Sequence, residues 1–226
     1  MLHRVVKIEN MDGRFFQLFE SEFDMKATLL CLAGSSLLLL GSVVSTVQAA
    51  KFNRKVDVGD AAPLWSKLKG VDGKRHSLKD YRRAKLLVVI FICNHCPATK
   101  LYQQRLQSFV KKYRKSGVRL VAVSSSLFPA DGFEQMKTHA KKQGFNFDYL
   151  HDPSQTVAKN YGVTHTPQVF LLDEKRKIAY MGAFDDNKDA GKVEDHYLRD
   201  AVNALLNGKR PEVAESLQFG CKLEYK

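Results

Sequence analysis

The sequence predicts an α/β domain, a central mixed β-sheet flanked by helices, and three observations carry that reading. Leu86-Leu87-Val88-Val89-Ile90-Phe91-Ile92 is apolar at both parities, as a strand covered on both faces must be. A helical stripe and a second apolar run, Val118 to Val123, follow at the spacing of a right-handed βαβ unit. Farther on, Thr166-Pro167 leads into the apolar run Gln168-Val169-Phe170-Leu171-Leu172, and the turn Asp173-Glu174-Lys175 returns Lys177 to Met181 as a hairpin. A chain of 226 residues, 44% hydrophobic, has material for one full core and some excess.

The opening residues read as processing segments. Ala27 to Ala50 carries no charge, begins after Met25-Lys26 and closes on Val47-Gln48-Ala49-Ala50, the pattern of a secretory signal peptide over 25–50. Its length also allows a membrane span. The small residues favour cleavage, so the expected location is exported, periplasmic or extracellular, without stable membrane insertion. Residues 1–24 carry Glu20, Glu22 and Asp24 where a signal is basic. They are expected to be a misassigned or disordered extension, with Met25 the true start. The folded domain is placed at 51–210, and a tail, 211–226, carries Cys221.

Within the domain, Pro63-Leu64-Trp65 and the turn Gly70-Val71-Asp72-Gly73 suggest a short N-terminal hairpin at the edge of the sheet. A helix is expected from Pro97 to Lys115, with Tyr102, Leu106, Phe109, Val110 and Tyr113 on one stripe and Gly117 as the stop. After Ser124-Ser125-Ser126 come a helix from Gly132 to Gln143, an extended Phe147 to Leu150 and a small helix from Ser154 to Tyr161. A last helix is expected over Glu194 to Leu206, closed by Asn207-Gly208.

The chemistry sits at Cys93-Asn94-His95-Cys96. An ordinary thiol is only about 3% thiolate at pH 7, and the thiolate is the nucleophile. Cys93 just ahead of a helix is expected to face free backbone N–H groups and the positive end of the dipole, which favour the anion. His95 between the cysteines and Lys100 one turn on are candidate helpers. Cys93 reads as the nucleophile and Cys96 as the resolving thiol. Structural zinc wants four ligands, and no second C-x-x-C or H-x-x-x-H pair is present. Haem attachment wants His where Pro97 stands. An inert disulfide is the remaining structural alternative, and no cofactor is expected. The net charge of +12 is spread over pairs such as Arg82-Arg83 and Lys141-Lys142 without interleaved glycines or stacking aromatics, the pattern of a solvated basic surface rather than of a nucleic-acid binder.

With the C-x-x-C after a buried strand joined to Thr166-Pro167 before a strand hairpin, the chain resembles the thioredoxin-like superfamily. The likeness is closest to exported redoxin-domain proteins of the TlpA/ResA and AhpC/TSA-like groups, over about residues 56–207. The resemblance implies a thioredoxin-like fold with a strand-helix insertion between Val123 and Gly162, Cys93 as the attacking sulfur and Cys96 as the resolving one. It makes Pro167 a cis-proline whose preceding backbone at Thr166 pairs with a substrate segment. Substrates would be protein thiols or disulfides, with an unidentified redox partner. His95 stands where DsbA-like proteins carry histidine, which implies a more oxidising couple than thioredoxin's. Two departures matter. Leu87 replaces the buried aspartate and Ile92 the tryptophan before the first cysteine, so proton transfer at Cys96 needs another group, and Asp185 or Asp186 is the candidate.

Two alternatives follow. In a thiol peroxidase of the AhpC/TSA type, Cys93 would pass through sulfenic acid, but the signature P-x-x-x-T-x-x-C is absent and Val89 and Ile90 stand where its polar support would lie. A copper-binding module would use Cys93, Cys96 and a histidine such as His165. Cys221 is left as a redox or structural disulfide partner, an interchain bridge or a free thiol.

Overall fold

The computed structural model describes residues 6–9, 15–18 and 51–226, and the chain divides into a unit at Met1–Thr46 and a unit at Val47–Lys226. In the first, β1 (Val6–Glu9) and β2 (Phe15–Leu18) pair antiparallel, with Val6 opposite Leu18. The expected signal segment, 25–50, lies outside the described residues. Among the described residues no helix is long and apolar enough to cross a membrane.

The second unit is built on seven strands: β3 (Leu68–Gly70), β4 (Arg75–His76), β5 (Leu86–Phe91), β6 (Val118–Ser124), β7 (Asp148–His151), β9 (Gln168–Leu172) and β10 (Ile178–Gly182). A two-residue strand, β8 (His165–Thr166), precedes β9. The sheet order is β10-β9-β5-β6-β7-β3-β4. β5, β6 and β7 run parallel, whereas β9 lies antiparallel on β5 and β3 antiparallel on β7, so the sheet is mixed as expected. The hairpin β3–β4 forms one edge, where the Gly70-Val71-Asp72-Gly73 turn placed it.

β5 shows why the run is apolar at both parities. All six residues are buried, with Leu87, Val89 and Phe91 feeding one core and Leu86, Val88 and Ile90 the other. Each such burial is worth about 1.5–3 kcal/mol. The second core is closed by α1 (Pro97–Tyr113), α2 (Phe133–Gln143) and α4 (Tyr197–Leu206), through Tyr102, Leu106, Met136 and Leu198. The first is closed by α3 (Thr156–Tyr161), through Val157 and Tyr161, and by Trp65 and Tyr81.

Several boundaries moved by one to three residues, two of them for a visible local reason. α1 stops at Tyr113, and 114–116 tighten into a 3₁₀ turn before Gly117, whose φ of 83° needs glycine. α4 begins at Tyr197 rather than Glu194 because Asp186 takes the preceding residues. Its Oδ1 accepts from Glu194 N–H at 3.1 Å, and its own N–H donates to the Asp195 carbonyl at 3.1 Å. The tail 211–226 folds onto the sheet unit: Glu215 bridges to Met181, Ser216 and Leu223 are buried, and β11 (Cys221–Lys222) pairs with β8.

Candidate active site

The topology brings the two sulfurs and the proline loop together. Ile92 N–H still bonds the Val123 carbonyl at 3.0 Å, so the chain leaves the sheet only at Cys93. Pro97 opens α1 at its first position, where no N–H is required, and Cys96 caps it, its Sγ accepting from Thr99 N–H at 3.4 Å. Antiparallel pairing of β9 with β5 sets Gln168 opposite Phe91 and carries Pro167 alongside. The Thr166–Pro167 peptide is cis, as the resemblance implied. Thr166 then touches both cysteines. Its Oγ1 lies 3.4 Å from Cys93 Sγ, and its carbonyl accepts from the Cys96 thiol at 3.3 Å. Cys93 is 2% exposed and Cys96 fully buried.

The turn between the sulfurs is organised by a residue that the sequence reading missed. Asp131, fully buried at the end of a 3₁₀ turn (Pro129–Asp131), accepts Asn94 N–H at 2.6 Å and His95 N–H at 3.1 Å on Oδ1. Its Oδ2 takes the Ser126 hydroxyl at 2.6 Å and pairs with His95 Nδ1. The His95 ring rests on Phe128 at 4.4 Å, and Tyr149 donates its hydroxyl to Asn94 Oδ1 at 3.1 Å.

This arrangement corrects the expectation of an acidified nucleophile. Burial pushes the Cys93 thiol up to about 11; a hydrogen bond from Thr166 opposes it, the Asp131 charge adds to it, and the Cys96 N–H opposes it again. The amides of Asn94 and His95 face a carboxylate instead of the sulfur. With the tail in place, Cys93 should therefore alkylate about a hundredfold or more slower at pH 7 than a free thiol of pKa near 8.5, and gain about tenfold per pH unit toward 11. Iodoacetamide rates at that cysteine check this, and a plateau near pH 8.5 would contradict it.

The other candidates lie elsewhere. Lys100 is exposed, and its charge acts on His139. Asp185 is 1% exposed, with Oδ2 held by Arg105 Nη1 at 2.6 Å; burial raises its pKa and Arg105 opposes the rise. Arg105 also donates to the Asn187 and Lys188 carbonyls, so Asp185 anchors the loop after β10 to α1. Asp186 holds the entry to α4. The carboxylate that acts on Cys93 is Asp131. Among the described residues, the group that could hold a metal ion is Cys93, His95 and Asp131, and His165, bonded through Nδ1 to Thr164 Oγ1 at 2.9 Å, is not part of it. Cys221 reaches the site on β11, opposite Thr166.

The AhpC/TSA family matches residues 58–181 of this chain. The chain belongs to the AhpC/TSA family. Among its relatives is the thiol-disulfide oxidoreductase ResA of Bacillus subtilis (strain 168), 24% identical over 188 residues that cover 81% of this chain and 97% of ResA. The crystal structure of a hypothetical protein from Sinorhizobium meliloti 1021 is similar at 33% identity and a TM-score of 0.70, covering 77% of this chain and 97% of that one. A putative thiol:disulfide interchange protein DsbE from Chlorobium tepidum shares the fold at 23% identity and a TM-score of 0.50, over 56% and 84% of the two chains. The AhpC/TSA chain thus has a thioredoxin-like fold and is an oxidoreductase of the redoxin type. Leu87, which by the resemblance stands where thioredoxins carry a buried aspartate, is fully buried in the core.

Proposed function

We propose that this AhpC/TSA protein exchanges disulfides with protein substrates through a mixed disulfide on Cys93 that Cys96 resolves. The observation that carries it is the shared Thr166: both sulfurs lie within 3.4 Å of its polar atoms, so the two thiols and the peptide edge before Pro167 form one reaction centre. In the reductive direction, the Cys93 thiolate attacks a substrate sulfur and the leaving sulfur takes up a proton. Cys96, deprotonated, then attacks Cys93 Sγ, and the second substrate sulfur leaves as the Cys93–Cys96 bond forms. The oxidative direction is the reverse. The expected setting is outside the cytoplasm, delivered by the 25–50 segment, which the N-terminal residue of the exported protein checks.

The peroxidase reading has less to stand on. Val89 and Ile90 are fully buried in the sheet and offer a developing peroxide charge no donor. Mixing the reduced protein with insulin and, separately, with hydrogen peroxide tests the choice. Insulin disulfides should be reduced at a rate well above peroxide consumption, and the opposite order would overturn the proposal.

A further inference from the structure

We propose that Cys221 is the third redox sulfur of the site: it forms a disulfide with Cys96, and the strand that carries it lies on the Thr166 edge as a built-in substrate. The inference rests on the thiol–disulfide reading above and deepens it.

Two chain segments converge on one residue. β11 pairs antiparallel with β8, Cys221 opposite Thr166 and Lys222 opposite His165, while the Cys96 thiol donates to the Thr166 carbonyl at 3.3 Å. Among the described residues Cys93, Cys96 and Cys221 are free, and Cys96 and Cys221 are seated together as a disulfide pair would be. The approach depends on Gly220. At φ 154° it adopts a conformation that side chains disfavour, and a Cβ there would stand 2.1 Å from the Thr166 carbonyl oxygen and 2.8 Å from its carbon. No other residue lets the two backbones come so close.

The strand is fastened along its length. Leu223 N–H donates to the Thr164 carbonyl at 2.9 Å, and the Tyr225 hydroxyl to the Val163 carbonyl at 2.6 Å. The side chain of Gln155 donates to the Glu224 carbonyl at 2.7 Å and accepts Lys226 N–H at 3.0 Å. Leu223, 6% exposed, joins the core around Tyr161. Between this strand and the nucleophile lies a cavity of about 260 Å³, with Cys93, His95, Phe128 and Thr166 on one side and Leu223 and Tyr225 on the other. The tail therefore occupies the place where a substrate segment would pair and roofs the sulfur that would attack it.

The exchange balances. Cys93, having given up its proton, attacks Cys96 Sγ; the Cys93–Cys96 bond forms as the Cys96–Cys221 bond breaks, and the Cys221 sulfur leaves with the electron pair and takes up a proton. No net oxidation occurs, and the reverse step closes the tail again. The two electrons removed in making the first disulfide go to a protein disulfide, the substrate class already proposed. A tethered partner competes at an effective concentration of about a millimolar, well above a free protein substrate.

The test uses the full chain, oxidised, alkylated after unfolding in acid and digested with trypsin. The tryptic peptide 86–100 holds both Cys93 and Cys96, so a link to the Cys221 peptide is distinct in mass from an internal disulfide. The expected result is a Cys96–Cys221 link with Cys93 alkylated. Gly220→Val, which keeps all three sulfurs, should shift the ratio at least about tenfold toward the internal disulfide, and Cys221→Ser should raise insulin turnover about tenfold. An internal disulfide alone with Cys221 always alkylated, or a ratio unmoved by Gly220→Val, overturns the inference and leaves the proposed function standing. A chain that forms the Cys96–Cys221 link yet never reduces insulin supports the pair and overturns the proposed function.

Discussion

Cys93→Ser will lower insulin reduction by about a thousandfold or more, whereas Cys96→Ser will leave the first attack intact and hold the protein as a mixed disulfide with its substrate. A serine hydroxyl forms no stable bond to a substrate sulfur. It is smaller than the thiol and fits a position that is 2% exposed, so the contact to Thr166 Oγ1 survives and the melting temperature should move little. Cys96 is needed only afterwards. Without it, the sulfur that caps α1 is gone and the mixed disulfide on Cys93 is not resolved. Turbidity assays measure the first effect, and non-reducing gels with an alkylated substrate as reference measure the second. Retained turnover in Cys93→Ser would end the assignment of the nucleophile.

Asp131→Ala should cost about 3–5 kcal/mol of stability, an effect as large as loss of a major core side chain. The carboxylate is fully buried and takes two backbone amides, a hydroxyl and the His95 ring. Alanine strands all of these donors at once in a site that water reaches poorly. Asp131→Asn retains one acceptor oxygen and should fall between. Both changes also remove the negative charge that raises the Cys93 pKa, so its alkylation midpoint should drop below about 11, the value that burial and this charge set together. Urea unfolding and pH-dependent alkylation read the two effects separately. A neutral Asp131→Ala would show that the turn between the cysteines holds its shape unaided.

What was legible in the sequence was what local pattern encodes. The double-parity apolar run, the C-x-x-C at its end and the Thr166-Pro167 dipeptide before another apolar strand carried the resemblance that implied Cys93, Cys96, Thr166 and Pro167 at one site, and the pairing of β5 with β9 and the contacts of Thr166 bring them together. Asp131 was not legible. It sits in a Pro129-Ala130-Asp131-Gly132 turn that reads as solvent-facing, and its partners lie about 36 residues upstream. The expectation of a lowered thiol pKa failed for the same reason, since it counted the helix start and omitted burial and the distant carboxylate. Asp185 was drawn toward Cys96 because its partner, Arg105, has no local mark as an inward-facing residue of α1. The tail stayed open because a two-residue strand such as β11 has no period to read.

Asp131 grips the turn between the cysteines by its main chain, at the amides of Asn94 and His95. Every residue except proline offers such an amide. The scaffold thereby separates the shape of the turn from the identity of its two middle residues. Descendants of this chain that exchange Asn94 or His95 give up the bonds of those side chains to Tyr149 and to Asp131 but keep the two main-chain anchors, and so can retune how strongly the sulfurs hold electrons within the same turn.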